Sequence, residues 1–461
     1  MLTTLNSIHA WGDNGRLQIS STLSTNDAVS TPLELTDVRL AILLYRDSTL
    51  MLPYLEYRIV NVVAGNAHSV AHVQYYDPYL PDVTTHERLV CWGANDDGQC
   101  GVDPVRFGGS VNVSAPTMSD DAFSGIPGST NNAFIRDICA GKNYTLLLHL
   151  DGSVYMWGSN HYGQIGVNTY DDNTWIARAS LLPVEVDRVA CGGAFVVALS
   201  AQRPRIVYTW GDNMQSNLAD PTVMYVDRNY PDIATGFYAP YTNATIDIDG
   251  NHVYVVAGWD FALIRTTSRV LYAWGSNEYG QLGLGKFPYE LLETDVPMLI
   301  TTLSDIRKVF VGDQHAVAST PRRIYTWGTN VTYQIGWNDG LITRTAVISP
   351  FIMNAVSSDP LYDHVLIEGA GGTNHSIALT YDIHAPCQHR AHPSPSPTGP
   401  DTISSYSVFF TVLLIIAFAI LMAVLLLLLL CGTRRRRRDN EYAPIQMNGT
   451  PNRVLFPPRR A

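Results

Sequence analysis

Two short strings alternate along this chain, and their alternation limits the possible folds more than any other feature. WGDN, WGAN, WGSN, WGDN, WGSN and WGTN begin at Trp11, Trp92, Trp157, Trp210, Trp274 and Trp327, at intervals of 81, 65, 53, 64 and 53 residues. Between them run AGNAHSVA from Ala64, AGKNYTLL from Ala140, CGGAFVVA from Cys191, AGWDFALI from Ala257, VGDQHAVA from Val311 and GGTNHSIA from Gly371. A period of this order with variable insertions signals stacked structural units, a solenoid or a propeller.

Each unit reads as short β-strands. Tyr144 to Leu150 and Val154 to Trp157 are rich in Val, Leu, Tyr and Trp, and Asp151-Gly152 between them is a hairpin signal. No long helical period occurs before residue 403. The expected unit is therefore a four-stranded antiparallel sheet. Gly65, Gly141, Gly192, Gly258 and Gly312 are expected where strands crowd a central axis and a Cβ would clash. Trp11, Trp92, Trp157, Trp210, Trp274 and Trp327 are expected to fill the space between sheets. After each comes a glycine, Gly12, Gly93, Gly158, Gly211, Gly275 or Gly328. The fourth position, Asn14, Asn95, Asn160, Asn213, Asn277 or Asn330, suits a turn because Asn tolerates a left-handed backbone.

The string WGSNEYGQLG from Trp274 to Gly283, with the preceding Ala-Gly string, resembles the regulator-of-chromosome-condensation repeat family, across about residues 8–384. The resemblance implies an all-β propeller. Seven blades are that family's norm, whereas six of each motif occur here, so six blades are expected. The chain starts on a Trp-Gly half-unit and ends its repeats on a Gly-x-x-His-Ser half-unit. Pairing of the two, through Trp11 and Gly371, would close the ring and remove free sheet edges. The unit WGDNMQSNLA from Trp210 departs from the pattern, and its outer turn is expected to be reshaped.

The expected domains are the propeller at 1–384, a Pro/Ser-rich linker at 385–407, a transmembrane helix at 408–431 and a basic tail at 432–461. Val408 to Cys431 is uncharged and apolar apart from one Thr, and as a helix would extend about 36 Å, enough for a bilayer core. Arg434, Arg435, Arg436, Arg437 and Arg438 follow as a stop-transfer run that can also attract anionic lipid, and they place the tail in the cytosol. The propeller then faces the lumen or the exterior. Residues 1–30 show no signal peptide. Either the true start lies upstream, which is the favoured expectation, or the helix is a tail anchor and the propeller faces the cytosol.

The tail carries eight Arg against Asp439 and Glu441, a charge of +6, which leaves −17 of the chain's −11 total on everything before it. So acidic a body argues against a nucleic-acid grip, and no nucleic-acid partner is expected. The six Cys include no CxxC pair or zinc spacing and leave the redox compartment open. His68, His315 and His375 recur at one position, but Tyr144, Phe195 and Phe261 fill it in other units, so a metal ring is not expected. No catalytic motif and no cofactor loop occurs. The expectation is a binding protein without enzymatic activity.

Three inserts stand out, Gln74 to Arg88, Asp103 to Asn132 and Asp220 to Asn251; the first and third are rich in Tyr. Tyr75, Tyr76, Tyr238 and Tyr241 are candidate partner contacts, with packing onto their own blades as the competing reading. Asn112, Asn143, Asn243 and Asn374 are candidate glycosylation sites, and Asn330 also lies in a sequon. Tyr442 to Ile445 resembles a sorting signal read by clathrin adaptors, and Cys431 is a candidate for palmitoylation. Two functions are compatible with these features. One is a membrane-anchored propeller that binds a protein or glycan outside the cytosol; the other is a cytosol-facing regulator or exchange factor of a small GTPase.

Overall fold

A computed structural model describes residues 9–12, 29–34, 56–331 apart from 77–84, 104, 106–111, 128–133, 172–173, 243–245 and 322, and the strands at 343–348, 364–371, 376–382 and 453–455. Two units divide the chain, residues 1–383 with 452–461, and residues 384–451, which lie outside the described residues.

Strands β1 (His9–Gly12) and β2 (Val29–Glu34) pair with each other. The first complete blade follows as β3 (Glu56–Ala64), β4 (His68–Tyr76), β5 (Thr85–Ala94) and β6 (Asn112–Met118). A one-turn helix, α1 (Asp120–Phe123), links it to the second blade. That blade is β7 (Ile135–Ala140), β8 (Tyr144–His149), β9 (Val154–Gly158) and β10 (Thr174–Ala179). The third comprises β11 (Val186–Cys191), β12 (Phe195–Ser200), β13 (Val207–Gly211) and β14 (Arg228–Ile233). The fourth has β15 (Tyr254–Ala257), β16 (Phe261–Arg265), β17 (Leu271–Ser276) and β18 (Glu293–Leu299). The fifth has β19 (Lys308–Val311), β20 (His315–Ser319), β21 (Ile324–Gly328) and β22 (Thr343–Ile348). A three-stranded sheet of β23 (His364–Gly371), β24 (Ser376–Asp382) and β25 (Arg453–Leu455) comes last. Every sheet is antiparallel, as the repeat predicts.

The expected ring closure is not formed. β1 pairs with β2, and β24 takes β25 on the edge that the Trp11 half-unit was expected to fill. Among the described residues, five four-stranded blades, the β1–β2 pair and an open three-stranded sheet stand in place of the expected closed six. An unpaired strand edge accepts any extended segment that reaches it, and here Arg453–Leu455 aligns with Ile377 to Leu379. The first insert lengthens a hairpin: Tyr75 and Tyr76 continue β4, opposite His86 and Thr85 of β5. No helix among the described residues is long and apolar enough to cross a membrane, and 408–431 lies outside them.

The core lies between blades, as the tryptophans led one to expect. Trp157 packs with Leu89 and Cys91 of the first blade, Trp210 with Tyr144 and Leu146 of the second, Trp274 with Val197 and Leu199 of the third, and Trp327 with Phe261 and Leu263 of the fourth. All four rings are fully buried. Each indole Nε1 donates backward to a carbonyl of the preceding blade's outer loop: Trp157 to Gln99 at 3.1 Å, Trp210 to Gln164 at 2.7 Å, Trp274 to Asn217 at 2.9 Å and Trp327 to Gln281 at 2.8 Å. Truncating such a ring removes both packing and an anchor, a loss of about 3–5 kcal/mol.

Candidate binding face

Two kinds of loop share one end of the propeller. The turn between the first two strands of a blade lies beside the loop that follows Trp-Gly, because the glycine pairs with the residue opening the second strand: Gly158 with Tyr144, Gly211 with Phe195, Gly275 with Phe261. Loop amides then continue the contact, with Ser159 N donating to Asn143 O, Asp212 N to Ala194 O and Ser276 N to Asp260 O.

The loops are shaped by Asn and Gly in different ways. The side chain of Asn160 accepts from Ile165 N at 2.9 Å and donates to Thr169 O at 2.8 Å, clamping both limbs of its loop. Asn95 does the same with Cys100 N and Val102 O, Asn213 with Leu218 N and Val223 O, and Asn277 with Leu282 N and Leu291 O. These asparagines do not adopt the left-handed backbone expected of them. The preceding glycine does: φ is 107° at Gly158, where an added Cβ would lie 2.5 Å from Asn143 O. The loop after Trp210 is not reshaped either. Ser216 and Ala219 take φ of 58° and 50° where Gly163 and Gly166 stand at 76° and 75° in the second blade, and the Asn213 clamp keeps the geometry without glycine. Left-handed Ser and Ala are strained, so this loop is held by its bonds.

At the axis, an added Cβ on Gly65, Gly141 or Gly258 would lie 2.4–2.6 Å from the carbonyl of the next blade's glycine, which is the crowding anticipated. Four amides bridge successive blades there: Asn66 N to Lys142 O, Lys142 N to Gly193 O, Gly193 N to Trp259 O and Trp259 N to Asp313 O. His68, Tyr144, Phe195, Phe261 and His315 are buried, one per blade. Burial holds His68 down to about pKa 4, and its Nε2 meets Thr145 Oγ1 at 3.1 Å. His375 lies outside the described residues.

Two disulfides reinforce the same end. Cys139 and Cys191 link the innermost strands β7 and β11 with Cα atoms 5.8 Å apart, and Cys91 joins Cys100 across one loop at 5.3 Å. Cys91 and Cys100 hold the positions of Met156 and Ile165, or Thr209 and Leu218, in other units.

Carboxylates collect on this end. Burial and the charges of Asp212 and Asp313 push Asp260 up to about 7, and Lys142 acts against them. Burial and Asp227 raise Asp212 to about 6. Lys142 stacks on the Trp259 ring at 5.0 Å. Further out, Tyr170 OH donates to Asp227 O at 3.2 Å and Tyr225 OH to Glu293, so each loop tip rests on the next blade. Tyr170, Met214, Met224, Tyr225, Tyr230 and Tyr289 are exposed.

The predicted contact residues are not gathered here. Tyr238 packs beside Trp274 and accepts from Val207 N at 3.3 Å, the competing reading, whereas Tyr241 is 41% exposed. Tyr75 and Tyr76 extend the opposite end of the first blade. Asn330 is fully buried, so its side chain is not open to a glycan in the folded chain, and the half-buried Asn143 donates its Nδ2 to Asp97 at 2.8 Å. Asn112 lies in β6. Asn14, Asn243, Asn374, Arg434–Arg438, Tyr442 and Ile445 lie outside the described residues. The signal that would have found the carboxylate face is the recurrence of Asp or Glu beside the Trp-Gly and Ala-Gly strings.

Comparison with known proteins identifies the repeat. The regulator of chromosome condensation (RCC1) repeat matches residues 151–199 and 270–319, and a second description of that repeat matches 135–164 and 253–281. The chain is 24% identical to the ultraviolet-B receptor UVR8 of Arabidopsis thaliana over 306 residues, 66% of this chain and 59% of that protein. It is 26% identical to the secretion-regulating guanine nucleotide exchange factor of Bos taurus over 285 residues, 60% of this chain and 53% of that protein. It is 25% identical to the E3 ubiquitin-protein ligase HERC2 of Homo sapiens over 338 residues, spanning 72% of this chain but 6% of that protein. Among solved structures, human WBSCR16 aligns at TM-score 0.59 and 17% identity, covering 81% of this chain and 87% of that one. Yeast RCC1 (Prp20) bound to Kap60 aligns at 0.59 and 18%, covering 81% and 78%. The chain carries RCC1 repeats folded as propeller blades.

Proposed function

We propose that this propeller captures a protein or glycan partner on its loop face, without catalysis of its own, in an oxidising compartment bounded by a membrane that residues 408–431 span. The disulfides carry this reading. Cys100, Cys139 and Cys191 stand where other units place apolar residues, Cys91 stands where they place Met156 or Thr209, and such bonds persist in lumenal and extracellular proteins while cytosolic thiols are kept reduced. In this arrangement the Arg434–Arg438 run anchors the cytosolic end, and Tyr442 with Ile445 offers a signal to clathrin adaptors.

One observation favours a second reading. A single span at 408–431 would carry Arg453–Leu455 across the bilayer from β24, so the β24–β25 pairing and that span exclude each other in one molecule. A chain that keeps both flanks on the cytosolic side retains the pairing. It would then act as a regulator or exchange factor of a small GTPase, as proposed from its exchange-factor relative, by binding and displacing.

Protease protection on sealed vesicles separates the two. The first reading expects a protected propeller, a digestible C-terminal epitope tag, and Cys139–Cys191 recovered as a linked peptide under non-reducing mapping. Digestion of the propeller from the cytosolic side with free thiols would overturn it.

A further inference from the structure

We infer that the loop face takes a lysine- or arginine-rich peptide segment of a partner protein, laid along the carboxylate track from Trp259 at the axis to Tyr225 at the rim. The inference rests on the protein-binding reading above and names the chemistry of the partner.

The track is continuous. Asp313 and Asp212 both act on Asp260, Asp227 sits against Asp212 and accepts at Oδ1 from Asn213 N at 3.0 Å, and Tyr225 ties its loop to Glu293. Two cations near it among the described residues are committed. Lys142 lies on the Trp259 ring, and Arg228 is buried with Asp220. Burial first, and then the neighbouring carboxylates, raise Asp260 and Asp212, and an incoming cation relieves the part that the carboxylates impose.

A second observation points the same way. Asn217 is fully buried, and its Nδ2 donates to Asp212 Oδ2 at 3.3 Å, yet its Oδ1 has no hydrogen-bond partner. A buried acceptor without a donor is costly, and beside the Asp212 carboxylate it calls for a ligand rich in N–H groups, which guanidinium and ammonium groups supply.

The flanks suit a peptide. Tyr170, Met214, Met224 and Tyr225 are exposed, and aromatic and thioether groups pack well against the aliphatic stems of Lys and Arg. A second copy of this chain would bring the same carboxylates against these, which disfavours self-association.

The test uses the full-length chain in detergent micelles and a short fluorescein-labelled peptide of alternating Arg and Ser, with a Glu and Ser peptide as control. Binding is read by anisotropy at near-physiological salt. We expect capture of the basic peptide alone, weakened at least tenfold by the triple change Asp212→Asn, Asp227→Asn and Asp260→Asn. The charge-matched triple Asp151→Asn, Glu185→Gln and Asp305→Asn, at the opposite end, should leave it unchanged, with melting curves confirming that both variants fold. No capture by the wild type, equal losses in both triples, or a wild-type dimer that the first triple dissolves would each overturn the proposal. A chain that captures cellular partners by cross-linking on the propeller side yet ignores the basic peptide would retire the track and leave the binding reading in place.

Discussion

The two ends of the propeller are held together by different means. At the hairpin end, charge is matched locally. Arg205, which is 5% exposed, bonds both oxygens of Asp187, at 2.8 Å for Nη2 to Oδ2, and donates to Ser200 O at 3.0 Å. Arg269 and Arg307 share Asp305. At the loop end, carboxylates lie close to one another, and order comes from the disulfides, the asparagine clamps and the axial amides. The hairpin end therefore meets its own electrostatic demands, while the loop end leaves them for something else to meet.

The contrast breaks most sharply at the Cys139–Cys191 bond. Its 52-residue separation corresponds to about 4 kcal/mol of chain-entropy stabilisation. Cys139→Ala with Cys191→Ala should lower stability by about that amount in chemical denaturation, and a reducing agent should destabilise the wild type further than the variant, which has only the shorter Cys91–Cys100 loop left to lose. At the other end, Arg205→Ala leaves Asp187 without its partner and should cost about 3 kcal/mol in the same assay.

A pH series sharpens the comparison. The folded chain holds a proton on Asp260 up to about pH 7, whereas an unfolded carboxyl releases it near 4, so this group's contribution to stability falls as pH rises between those values. Asp260→Asn should flatten that decline and raise stability at pH 8 by about 1–2 kcal/mol. A variant no more stable than wild type at pH 8 would show that burial and the neighbouring carboxylates do not penalise the Asp260 charge as described. The smallest effect is expected at Arg269, whose pair with Asp305 is exposed: Arg269→Ala should change stability by less than about 1 kcal/mol.

How much of this the sequence disclosed depends on whether a feature repeats. The blades were legible because Trp157, Gly158 and their counterparts mark every unit with the same strand-and-loop grammar. The asparagine's task was misassigned because a clamp reaching five residues onward looks, in a string, like a turn former. The loop after Trp210 looked altered because two glycines were missing, yet Asn213 keeps the loop in place. Closure through Trp11 failed on a contest between distant segments for one edge of β24, and no local pattern encodes such a contest. The carboxylate track stayed hidden because Asp212, Asp260 and Asp313 come from three units and meet only when the blades are arranged around the axis.

The amides that run from Asn66 to Asp313 have a consequence for how such a chain changes over time. Blade-to-blade register is set near the centre by one peptide group per step, so it does not depend on how much chain lies between steps. Units 53 to 65 residues apart can therefore share one pitch. Peripheral segments are free to lengthen, acquire new side chains and be tried against new partners while the hub keeps its spacing.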